Sequence, residues 1–109
     1  MRGEVAEAIA CYRRHIAAHP QVVQPYLLAA DLCRDQGDAA RARSLLVAAR
    51  ACPGATPGDL LHATNRLIDL YLGALQRPED ARRELRYLVE SFPDTQAGVH
   101  AREALRRLR

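Results

Sequence analysis

Residues 22–53, VVQPYLLAADLCRDQGDAARARSLLVAARACP, decide the fold. Apolar side chains at Val23, Tyr26, Leu27, Ala30 and Cys33 fall at the three- and four-residue spacing of one helical face. Gly37-Asp38 then breaks that helix and offers a side chain that caps the next. Ala42, Leu46 and Ala49 resume the helical spacing, and Pro53 ends the segment because proline cannot continue a helix. The stretch reads as two antiparallel helices joined by a tight turn.

The pattern recurs outward from this pair. Gly3, Ala8, Tyr12, His15 and Pro20 match Gly37, Ala42, Leu46, Ala49 and Pro53 at offsets of 34 residues, and 33 for the proline. A third copy, Ala81, Leu85, Leu88 and Pro93, lies 39–40 residues further on. In each copy a small residue sits where a neighbouring helix would approach, and a larger apolar group follows one turn later. Asp69-Leu70-Tyr71 aligns with Asp31-Leu32-Cys33, which places a helix over 57–76. Thr56-Pro57 reads as an N-cap followed by proline in the first turn. Pro78-Glu79-Asp80 puts acids where a helix dipole favours them, and Asp94-Thr95 opens a closing helix. Six helices are expected, at 4–18, 22–35, 39–51, 57–76, 79–91 and 96–108.

The 34-residue period, the helix–turn–helix unit and the Ala/aromatic/Pro pattern resemble the tetratricopeptide repeat family. Tyr26 looks like the aromatic that opens a first helix, and Ala30 like the small residue where paired helices touch. Cys33 and Tyr71 fall where the family often has tyrosine, and 92–105 resembles the closing helix of many bacterial arrays. The resemblance covers nearly all of the chain. It departs from the pattern in the third unit, where Arg77-Pro78 replaces the turn glycine and Ile68 replaces the small residue. It implies an all-α fold, a right-handed α-α superhelix of about six antiparallel helices spanning 1–109 as one domain. It further implies a protein-interaction scaffold whose concave wall binds a peptide or partner helix. On the family pattern Leu27, Asp31, Arg34, Arg66 and Leu70 line that wall. The Lys/Asn cluster with which some members clamp a terminal carboxylate is missing.

Composition agrees with helices and narrows the chemistry. Of 109 residues, 49% are apolar, many of them alanine, with four Tyr, one Phe and no Trp. The net charge of +3 comes from 16 Arg, with no Lys, against 13 acids. The excess is too small and dispersed to imply a nucleic-acid partner. Arg41, Arg43, Arg50, Arg82, Arg83, Arg86 and the terminal Arg102, Arg106, Arg107 and Arg109 read as solvated faces. Salt-sensitive binding would reveal an anion-binding role. No apolar run approaches the roughly 20 residues that span a bilayer, so no direct membrane insertion is expected. Cys11, Cys33 and Cys52 are widely spaced and read as small core residues of a cytoplasmic protein.

No catalytic constellation can be assembled, and no cofactor is implied. Ser44 and Ser91 lie in no nucleophile elbow, and 53–58 is a proline-broken turn rather than a phosphate loop. His15 and His19 are four apart, but His15 shares the repeat slot of Ala49 and Leu88 and reads as a packing residue; no metal site is expected. Helix 4–18 reads as the second helix of a pair with nothing preceding it. Either the chain continues a longer array, or the open end self-associates, as a homodimer, through Val5, Ile9, Tyr12 and Ile16 with the edge around Tyr26. The alternative to a scaffold is a dimerising or spacing appendage of a larger, membrane-anchored bacterial protein.

Overall fold

The computed structural model describes residues 2–108, Arg2 by its backbone; Met1 and Arg109, the last of the C-terminal arginines, lie outside them. The described residues form six helices and no strand: α1 (Arg2–Ala18), α2 (Gln24–Asp35), α3 (Ala39–Ala51), α4 (Pro57–Leu72), α5 (Pro78–Ser91) and α6 (Gln96–Arg107). The chain divides into two compact units, Met1–Ala63 and Thr64–Arg109, with the division inside α4.

In the first unit α2 packs on both α1 and α3. Ala29, Ala30 and Cys33 of α2 and Ala42, Leu46 and Ala49 of α3 are buried, at the positions the three- and four-residue spacing assigns to the inner faces. The α2–α3 turn is a Schellman motif. Gly37 adopts φ 81°, its N–H donates to the Arg34 carbonyl at 2.9 Å, and the Asp38 N–H donates to the Cys33 carbonyl at 2.8 Å. Asp38 then caps α3 by accepting from the Arg41 N–H at 3.1 Å. The α1–α2 loop is fastened through one carbonyl: Tyr26 Oη–H donates to Pro20 O at 2.8 Å, and the Cys52 thiol lies 3.6 Å from the same oxygen. At the start of α4, Thr56 Oγ1 accepts from the Asp59 N–H while Asp59 accepts from the Thr56 N–H, at 3.1 and 3.0 Å. That reciprocal pair is a capping box with aspartate in the acidic position.

In the second unit α5 packs on α6, and Ala81, Leu85, Leu88 and Ala101 are buried. Helix α4 ends at Leu72, four residues short of the expected 76. Past it the chain turns sharply: the Leu75 N–H donates to Leu70 O at 2.9 Å and the Arg77 N–H to Tyr71 O at 2.6 Å. Gln76, with φ 49°, is the only non-glycine residue described with positive φ. It takes the left-handed role that Gly37 plays in the first unit, while the glycine of this turn, Gly73, stands three residues earlier, directly after α4. Arg77 and Arg83 both pair with Asp80, at 2.7 and 3.3 Å. Arg82 bridges to Glu79 and to the Leu108 carbonyl, tying α5 to the end of α6. Thr95 caps α6 through the Gly98 N–H at 3.1 Å. Gly98 is buried so tightly that an added Cβ would collide with the Phe92 carbonyl and sit 3.1 Å from Pro93 Cα.

Two substitutions test these turns by urea unfolding at constant slope. Gly98→Ala has no room for its methyl and should lower stability by about 1–3 kcal/mol or more. Gln76→Gly relieves a left-handed side chain and should raise it by about 0.5–1 kcal/mol, after the entropic cost of glycine is subtracted.

Candidate partner-binding surfaces

Each unit carries its own groove. In the first unit one groove lies between α2 and the beginning of α4, lined by Gln24, Leu27, Leu28, Asp31, Asp59 and His62. Two carboxylates give it an acidic rim. Asp31 lies 3.5 Å from Arg34, which also reaches Asp35 at 3.3 Å, so part of that charge is compensated along the helix. Asp59 is also engaged with the backbone of the capping box. The structure thus brings Leu27, Asp31 and Arg34 to one side of α2, although Leu27 is only 6% exposed and forms a floor rather than a wall.

In the second unit a groove of about 500 Å³ runs between α4 and α6. Its floor is apolar, from Ile68, Leu85, Leu88 and Ala101, and its rim is polar, from Asn65, Asp69, Gln96 and His100. A smaller depression shares His100 and Ala104 with it and adds Leu72, Glu103 and Arg107. Leu72 is 46% exposed. Arg66 and Leu70 are absent from both linings, and Leu70 is 4% exposed. The groove rim on α4 is formed instead by Asn65 and Asp69, one residue and about 100° around the helix from Arg66 and Leu70. The alignment of Asp31 with Asp69, carried through, maps Leu27 onto Asn65, Asp31 onto Asp69 and Arg34 onto Leu72. His100 belongs to this groove because α6 turns that face toward α4.

Helix α1 departs most from expectation. Val5, Ile9, Tyr12 and Ile16 are half-buried, whereas Tyr26 is buried with its hydroxyl committed to Pro20 and offers no edge for association. His15 is exposed, not packed like Ala49 and Leu88. Its face of α1 is left uncovered, while α2 takes the neighbouring face. Its ring lies 5.2 Å from that of His19, tilted by 48°. Among the described residues no three His, Cys, Asp or Glu side chains gather as a metal site. Cys11 is exposed too, where a core position was expected. It borders an apolar cleft of about 300 Å³ with Tyr12, His15, Val22, Pro25 and Leu28, in which Val22 and Leu28 are 39% and 38% exposed. No helix among the described residues is long and apolar enough to cross a membrane.

No family model, no curated protein and no solved structure matches the chain. The grooves therefore stand on their geometry alone.

Cys33 and Cys52 are buried, and desolvation, the largest influence on each, raises their thiol pKa values. A thiolate-selective maleimide at neutral pH should therefore label the native protein once, at Cys11, and three times after denaturation. Mass spectrometry of the native adduct checks this; rapid labelling of Cys33 or Cys52 would contradict the packing described.

Proposed function

We propose that the chain is a tetratricopeptide-like array, a right-handed superhelix of helix pairs, and that it acts as a protein-interaction scaffold. The single observation that carries this reading is the groove between α4 and α6. An apolar floor of Ile68, Leu85, Leu88 and Ala101 beneath a rim of Asn65, Asp69, Gln96 and His100 suits an amphipathic peptide helix. Such a helix would lay residues at i, i+3, i+4 and i+7 onto the floor while its flanks meet the rim. The recurrence of the same helix-pair logic, with a left-handed residue at Gly37 and again at Gln76, supports the repeat reading. A peptide or partner-protein segment is the ligand class that follows.

The competing reading is a dimerising or spacing appendage of a larger protein. It draws support from the exposed face of α1 and predicts that the grooves can be altered without consequence.

A display selection of random peptides on the immobilised chain separates the two. Enriched peptides should show apolar residues at helical spacing. Their affinity should fall at least about tenfold on Ala97→Arg or Ala104→Arg, which obstruct the groove from half-buried positions, with the thermal transition unchanged. Failure to enrich any peptide, or equal enrichment on both variants, would sink the scaffold reading.

A further inference from the structure

On α1 a shallow groove is lined by Glu4, Glu7, Ala8, Ala10, Cys11 and Arg14. The charged side chains of its lining are set apart: Glu4 and Glu7 lie toward the N-terminal end and Arg14 toward the C-terminal end. Glu7 and Arg14 are exposed, and neither has a hydrogen bond or ion pair among the described residues. They cannot satisfy each other, because seven residues separate them by about 10.5 Å along the axis. Asp31, Asp38, Glu79 and Asp80, by contrast, each meet an arginine three residues along the chain. Between Glu7 and Arg14 the surface is small, with Ala10 and Cys11 leaving space for another backbone to come close.

We propose that this face of α1 docks against the same face of a second copy of the chain, in antiparallel orientation about a two-fold axis passing between Ala10 and Cys11. That axis sets residue i against residue 21 − i of the second copy. Glu7 then faces the second copy's Arg14, and by symmetry Arg14 faces its Glu7, so one contact is satisfied twice. A parallel pairing would set Glu7 against Glu7 and Arg14 against Arg14, and is opposed by like-charge repulsion. The adjoining apolar cleft around Tyr12, Val22, Pro25 and Leu28 extends the covered area. A face built on one helix is smaller than the roughly 800 Å² per partner of a standard interface, so the dimer is weak, in the micromolar range. The inference is independent of the α4–α6 groove and does not need any peptide ligand to exist.

Sedimentation equilibrium on the full chain, with a short bismaleimide reporting proximity at Cys11, tests it. The wild type should dimerise reversibly, and the reagent should join two chains through Cys11 alone; Cys11→Ser should abolish the cross-link. Glu7→Arg should weaken the dimer about tenfold, because symmetry alters both contacts at once, and Arg14→Glu should do the same. The double variant Glu7→Arg/Arg14→Glu should return to within about threefold of wild type. That rescue separates the interface from any effect on the helix itself, since the double variant carries both helical costs. A monomer across the micromolar range, a cross-link that does not pass through Cys11, or a double variant no tighter than the single ones overturns the proposal.

Discussion

Close approach of helix backbones is the constraint on which the rest depends. Ala29, Ala30, Ala42, Ala49, Ala81 and Ala101 are almost wholly withdrawn from solvent, yet an alanine buries little apolar area. Such a core gains cohesion by bringing helices near enough for backbone and neighbouring side chains to touch, because dispersion falls steeply with a gap of even half an ångström. The larger groups, Leu46, Leu67, Leu85 and Leu88, supply the apolar area that alanine cannot. Gly98 is the limiting case: at that point of α6 even a methyl group is excluded by the Phe92 carbonyl. A core of this kind tolerates little added volume.

Close packing in turn demands that each helix leave its turn at a fixed angle. The first unit achieves this with Gly37 at φ 81° followed by the Asp38 cap. The second has Gln76 at φ 49° followed by Pro78 in the first turn of α5. Proline presets the backbone for helix entry, and the Arg77–Asp80–Arg83 network holds the first turn. The two solutions differ in residue type but place a left-handed residue at the corresponding point.

Those differences mark where the sequence was readable. Helical spacing and punctuation sufficed for the number of helices and for most ends, because Asp38, Thr56 and Thr95 act locally and their backbone partners lie three residues away. The end of α4 is marked by Gly73, directly after Leu72, but Leu75 and Gln76 are ordinary helix formers that favour continuing the helix; in the folded turn the hydrogen bonds run back to Leu70 and Tyr71. Facing was harder than existence. A shift of one residue, from Arg66 and Leu70 to Asn65 and Asp69, turns a surface by about 100°, and Leu70 is 4% exposed, as its apolar side chain would suggest. His15 and Cys11 were misread for a related reason. Their repeat slots match those of buried Ala49 and Leu88 or suit a small core residue, but a slot is buried only where a second helix lies across it.

The distribution of charge links these surfaces. An arginine-rich chain with pI near 9.1 presents a basic field only if its guanidinium groups are unopposed. Here Arg34, Arg41, Arg77, Arg82 and Arg83 are each set against an acid on the same or an adjoining turn. Exposed pairs of this kind contribute little to stability, but they cancel the local field and limit long-range attraction of polyanions. On the proposed scaffold reading, a partner would be recognised mainly by shape, with apolar floors between helices and the carboxylates and histidines of their rims directing its approach. In the proposed dimer, Glu7 and Arg14, set two turns apart on α1, are each completed by the second copy rather than by their own helix.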